Sequence, residues 1–224
     1  MWISKEGDIR KQEFLSTALE IFCEKGYDKT SINDIIERVG VTKGAFYYYF
    51  KSKEDILQLL ADAQVKPILD ITKQIADSTE LNAVEKINQL IEKTHEYRNQ
   101  NIDDRLGLFK LLENESNSRL ARKISDETIM HGRPEILSII EQGIEEGLFE
   151  VQLPAEAAEF ILQFSIILNG QIQRIMVREE NQELKKIAIA NKLAFYEDVL
   201  TKILGAKQGR IQLAQKLIRR YSLD

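Results

Sequence analysis

Cysteine, histidine, proline and glycine are all scarce in this chain. Its 224 residues include one cysteine, two histidines, three prolines and eleven glycines. One thiol excludes an internal disulfide framework, and Cys23, between Phe22 and Glu24, reads as a packed side chain. His95 and His131 lack the close cysteine or carboxylate spacing that would indicate a metal, so none is expected. His95, near Glu92 and Glu96, reads as part of a solvated helix face. There is no serine elbow, no glycine-rich phosphate loop and no HExxH motif. Glu113, Glu115 and Asp126 read as ordinary surface acids. The expectation is therefore a non-enzyme with no catalytic residues and no cofactor. No run approaches the roughly 18 apolar residues of a membrane span. The opening MWISKEGD lacks the apolar core of a leader, so a cytoplasmic protein without membrane contact is expected. Few prolines and glycines leave little chain for long loops.

The remaining composition is that of a globular protein, 43% apolar and 30% charged, with length for one good core or two linked ones. The net charge of −5 argues against indiscriminate attraction to phosphate. Residues 1–60 carry nine basic and ten acidic side chains, yet Val41 to Lys53 holds three lysines and no acid.

That basic stretch lies inside residues 30–53, TSINDIIERVGVTKGAFYYYFKSK. Ser31 and Asp34 have capping-box spacing, so a helix is predicted from Ser31. Ile32, Ile35, Ile36 and Val39 form one apolar stripe at helical period. Gly40 falls where a chain leaving a helix turns left-handed. Thr42 suits the cap of a second helix of about eight residues, in which Phe46 and Phe50 face inward. Lys43, Gly44, Tyr47 and Tyr48 remain on its outer face. Ser52 and Asp55 repeat the capping-box spacing before a third helix. Upstream, Phe14, Ala18, Ile21 and Phe22 stripe residues 9–25 and supply a base helix. The pattern is that of a helix-turn-helix, whose short second helix enters the major groove of DNA. The expected DNA-binding residues are Ser31, Thr42, Lys43, Gly44, Tyr47, Tyr48, Tyr49 and Lys53. Lys53 is expected to meet a phosphate.

Residues 10–60 resemble the N-terminal domain of the TetR family of bacterial transcriptional regulators. The words that carry the resemblance are ALEIFCEKGYDKTSINDIIERVGVTKGAFYYYFKSKEDIL, nearly continuous from Gly40 to Asp55. Tyr49 departs from the pattern, where the family often has histidine. The resemblance implies a ligand-released repressor, dimeric through its last two helices, with the helix after Ser52 acting as a lever on the reading head.

Beyond residue 60 the pattern is helical throughout, so the fold class is all-α. A helix-turn-helix domain at 1–52 is expected before a ligand-binding and dimerisation domain at 53–224. Helices are predicted near Ser52–Ala76 (kinked or divided at Pro67), Glu80–Asn99, Asp103–Glu115 and Asn117–Met130. After a break at HGRP come Glu135–Glu146, Pro154–Arg178 and Leu184–Leu204. The last two are apolar around more than half their girth, which fits a four-helix bundle between two copies of the chain. A larger monomeric core is the alternative. The expected dimerisation residues are Ile161, Ser165, Leu168, Ile172, Leu193 and Leu200. For a small, largely apolar effector the polar contacts expected are Tyr97, Glu113, Asn114, Asn169 and Gln173. Asn169, between Leu168 and Ile172, equally suits a hydrogen bond across a dimer seam. A DNA-binding structural or division factor without a small-molecule switch shares every N-terminal feature. Residues 202–224 carry six basic side chains and one acid, and an amphipathic helix is predicted after Gly209.

Overall fold

The computed structural model describes residues 5–100 and 102–213. Among the described residues the ordered elements are all helical. They are α1 (Lys5–Lys25), α2 (Ile32–Val39), α3 (Lys43–Tyr49), α4 (Lys53–Ala76), α5 (Ala83–Gln100) and α6 (Ile102–Leu112). A 3-10 turn (Glu115–Asn117) then leads to α7 (Ser118–Glu145), α8 (Pro154–Arg178) and α9 (Gln182–Ile203).

The predicted break at HGRP is absent, and Pro67 does not divide its helix. Helix α4 runs through Pro67, and α7 runs through HGRP and Pro134 as one helix. Each proline forfeits one backbone hydrogen bond. Beyond Pro134 the helix buries Ile136, Ile139 and Ile140, and this burial outweighs the lost bond. The chain leaves α7 at Gly147, φ +66°, and Phe149 folds back onto Gly143. A Cβ on Gly143 would stand 2.0 Å from the Phe149 ring, so glycine is required there.

The molecule divides into two compact units, and the division differs from the single break expected at residue 52. The first unit comprises the chain up to Lys66 together with Gly107–Glu127; the second comprises Pro67–Leu106 and the chain from Thr128 on. In the first unit, Phe14 of α1 meets Phe46 and Phe50 edge-on at 5.8 and 5.4 Å. Ile35, Ile56, Leu57, Leu111 and Leu120 complete this core.

In the second unit α8 packs along α9. Ile161, Leu200 and Leu204 share a core with Ile136, Ile139 and Phe149, and Ile172, Ile189 and Leu193 form a smaller cluster. These clusters take up much of the expected dimerisation set within the single chain. Ile161, Ile172, Leu193 and Leu200 are buried within their own chain, and half-buried Leu168 packs against the same clusters. Ser165 bonds the Ile161 carbonyl and the Tyr196 hydroxyl. Within α8 and α9 the large apolar side chains left in solvent are Phe160, Ile167, Leu184, Ile187 and Phe195. Among the described residues, α8 is also the one helix long and apolar enough to cross a membrane by length and composition.

After α9 the described chain forms a strap. Residues 210–213 are non-helical, while Ile211 and Leu213 are buried. The Asn88 side chain donates to the Arg210 carbonyl at 3.0 Å and accepts from the Gln212 N–H at 2.9 Å. Glu197 accepts the Leu213 N–H at 2.6 Å. The remainder of the predicted final helix lies outside the described residues.

Candidate nucleic-acid interface

The reading head is built by caps. Ser31 accepts the Asp34 N–H at 3.2 Å, and Asp34 accepts the Ser31 N–H at 2.6 Å, which closes the capping box of α2. Lys25 sits 2.7 Å from the same carboxylate. The Lys25 bond and then the Ser31 N–H hold Asp34 well below the usual aspartate range. Arg38 grips Glu24 with both terminal nitrogens, at 2.9 and 2.8 Å, and pins α2 to α1. Gly40 is left-handed, φ 76° and ψ 38°, and its N–H reaches the Ile36 carbonyl. Thr42 accepts the Ala45 N–H and starts α3.

Helix α3 then has two faces. Phe46 and Phe50 are buried, whereas Thr42, Lys43, Gly44, Tyr47 and Tyr48 are exposed, Tyr48 by 73%. Ser31 and Lys51 are exposed as well. Tyr49 is half-buried, its ring 5.9 Å from Phe14 and 4.9 Å from Tyr48, so it props the exposed tyrosine from behind.

Lys53 has partners within the protein. Its ammonium donates to the carbonyls of Tyr27 and Thr30, both at 2.7 Å, and lies 4.1 Å from the centre of the Tyr27 ring. Two of its three N–H groups are therefore engaged inside the protein. It ties the α1–α2 turn to α4, and among the described residues the side chains of Lys43 and Lys51, both exposed, make no such bond.

The effector candidates fall in both units. Tyr97 lines a half-open groove of about 380 Å³ on α4 and α5, with Ile71, Ile75 and Leu81 as apolar wall and Gln74, Gln89, Lys93, Glu96 and Gln100 as polar rim. Glu113 and Asn114 belong to the first unit instead. Glu113 is exposed, and Asn114 caps the 3-10 turn by accepting from Ser116. Asn169 and Gln173 are half-buried on α8 and line neither this groove nor a shallower one of about 560 Å³ beside Leu153 and Phe160. Two further readings change. His95 is buried and hydrogen-bonded to Asn99, so it is no solvated face. Cys23 is exposed, and partial burial followed by the charges of Glu20 and Glu24 pushes its thiol up.

Sequence reasoning missed Asn117, Ser116 and Arg119. Asn117 is fully buried and accepts the Tyr27 N–H at 2.9 Å from ninety residues away. Local periodicity carries no signal of such a contact.

A capped three-helix base presenting a short polar helix, followed by a larger helical unit, defines a helix-turn-helix regulator with a separate second unit. The family model for bacterial regulatory proteins of the tetR family matches residues 14–60. The fatty acid metabolism regulator protein of Bacillus subtilis is 30% identical over 138 residues, which are 60% of this chain and 68% of that one. The chain belongs to the TetR family. The HTH-type transcriptional regulator YvdT of Bacillus subtilis, itself uncharacterized, is 36% identical over 69 residues, 31% of this chain; the match spans only 36% of YvdT. A crystal structure of a TetR-family transcriptional regulator from Syntrophomonas wolfei is similar with a TM-score of 0.60 and 25% identity, covering 87% of this chain and 96% of the other.

Proposed function

We propose that this protein is a homodimeric transcriptional repressor that binds an inverted-repeat operator through α3 and is released by a small-molecule effector. The observation that carries the reading is the division of α3. A seven-residue helix, about 10 Å long, together with its two caps buries Phe46 and Phe50 and turns Thr42, Lys43, Gly44, Tyr47 and Tyr48 to solvent. A core helix has no use for such a face; a major groove does. Family membership supports the same reading.

The paired state is supported by Phe160, Ile167, Ile187 and Phe195, an exposed apolar surface on α8 and α9. Two copies joined there carry two recognition helices, which a two-fold operator matches. Regulation by an effector is supported by the groove beside Tyr97, whose volume suits a small ligand. Its polar rim favours an amphipathic molecule over the largely apolar one expected from the sequence. The relative named for fatty acid metabolism supports a metabolite of that mixed character. Helix α4 begins at the reading head and also supplies Ile71, Gln74 and Ile75 to the groove, so it is the natural lever. A tenfold release requires about 1.4 kcal/mol of preference for the DNA-incompetent conformer.

Selection of duplexes from a random library, followed by footprinting, tests the reading. An inverted repeat with half-site centres about one helical turn, or a multiple, apart is expected. Failure to enrich any duplex would overturn it. The open form of both grooves favours one second reading, a DNA-binding structural factor without a switch. A compound that saturates the Tyr97 groove yet leaves operator affinity unchanged would select that alternative.

A further inference from the structure

Asn117 follows α6 in the 3-10 turn and is fully buried. Its Oδ1 accepts the Tyr27 N–H at 2.9 Å. Its Nδ2 donates to the Phe22 carbonyl at 3.1 Å and to the Leu111 carbonyl at 3.2 Å. One carboxamide thus joins the end of α1, the turn into α2 and the end of α6. Beside it, Ser116 occupies the space over Gly26, where a Cβ would come within 2.1 Å of its Oγ.

Tyr27 hands the constraint onward. Its hydroxyl donates to Glu54 at 2.5 Å, and its carbonyl accepts from Lys53, which also holds the Thr30 carbonyl. The next residue, Ser31, caps α2, and α2 leads through the Gly40 turn to α3. A hydrogen-bonded path therefore runs from Asn117 through Tyr27 and Lys53 to the helix that carries the recognition helix.

We infer that Asn117 is a positioning residue for α3, so that α6, the 3-10 turn and α7 orient the reading head alongside α4. The inference rests on α3 being the DNA-contacting helix. Asn117 is buried away from the exposed face of α3, so it governs orientation and not contact. Helices α6 and α7 both continue into the second unit, as α4 does. A displacement of either helix then reaches the reading head through this carboxamide. In a two-fold protein an ill-held reading head loses discrimination between half-site spacings while keeping its phosphate contacts.

The test uses the 224-residue chain and two variants. Asn117→Asp keeps the acceptor for the Tyr27 N–H and loses both donated bonds; Asn117→Ala loses all three. Binding is measured to the operator selected by the wild type and to versions with spacers altered by one and two base pairs. The wild type should discriminate by about tenfold or more, and the variants by less than about threefold, with an unchanged salt slope. Amide exchange supplies an arm independent of DNA: residues 27–49 should exchange about tenfold faster in the variants, with α8 and α9 unaltered. Equal loss of affinity at every spacing, or unchanged exchange across 27–49, would overturn the inference. If the wild type selects no operator, the repressor reading fails and the exchange arm still decides the role of Asn117. Should both variants unfold, Arg119→Ala loosens the same turn more gently, because Arg119 is exposed and 3.4 Å from Asp28.

Discussion

The ammonium of Lys53 rests 4.1 Å above the Tyr27 ring and donates to the Tyr27 carbonyl at 2.7 Å. Burial holds this lysine below its usual range, against the opposing pull of Asp28. Lys53→Ala removes two charge-assisted hydrogen bonds and should destabilise the protein by about 2–3 kcal/mol in urea unfolding. It should change the slope of log affinity against log salt by less than about 0.5, because most of the ammonium is committed within the protein. A drop of a full unit at unaltered stability would restore Lys53 as a free phosphate contact.

Helix α3 allows a sharper contrast between neighbours. Tyr48→Ala removes a ring that is 73% exposed, so stability should stay within about 0.5 kcal/mol while operator affinity falls. Phe46→Ala, two residues earlier, opens a cavity against Phe14 and should cost about 3–5 kcal/mol. Denaturation midpoints and operator titrations of the two variants separate contact from scaffold. A stable Tyr48→Ala with wild-type affinity would remove Tyr48 from the interface.

The capping box predicts acid sensitivity at the start of α2. Asp34 has a depressed folded pKa, so the folded chain binds fewer protons than the unfolded chain as acid is added. Its contribution is present above the usual aspartate range and is lost as pH falls below about 4. Asp34→Asn keeps an acceptor for the Ser31 N–H but loses the Lys25 pair. The variant should therefore lose less stability than the wild type between about pH 6 and about pH 3. Parallel pH profiles for the two proteins would contradict this assignment.

The reading head was legible because its signals are local. Ser31, Asp34, Gly40 and Thr42 cap and turn their own neighbours, so spacing alone located α2 and α3. Phe46 and Phe50 faced inward as their four-residue spacing predicts. Three features were not legible. Pro134 sits inside α7 because tertiary burial of the following isoleucines overrides a local breaker. Ile161, Leu193 and Leu200 stood on a helix face too broad to tell core from interface, since both are apolar. Asn117 and Lys53 take their roles from partners 90 and 26 residues away, which no short window contains.

The exposed apolar side chains of α8 and α9 give a test of pairing. Phe195→Glu and Ile167→Glu place charges on side chains that are 59% and 53% exposed in the single chain. Both variants should keep the helical signal of the wild type yet sediment near the 25.9 kDa chain mass. Leu193→Glu buries an unpaired charge and should unfold the second unit instead. A wild type that already sediments as a single chain would remove the dimer, and with it the inverted repeat.

The strap after α9 should behave as part of the core. Ile211 and Leu213 are 0% and 1% exposed and share the apolar cluster of Ile87, Leu200 and Leu204. Burying two such side chains is worth about 3–5 kcal/mol, before the cost of ordering the strap. Termination after Gly209 should therefore lower the stability of the second unit by a few kcal/mol and leave the operator-contacting face of the first unit chemically unchanged. Asn88→Ala is the gentler probe. It removes the bonds to the Arg210 carbonyl and the Gln212 N–H while keeping both apolar anchors, for an expected loss of about 1–2 kcal/mol. Glu197→Gln retains an acceptor for the Leu213 N–H and should cost less than Asn88→Ala. Amide exchange reads the result directly. In the wild type the Gln212 and Leu213 N–H groups should be protected, in Asn88→Ala the first should exchange faster, and protection no greater than that of a free peptide in the wild type would mean the strap is not docked in solution.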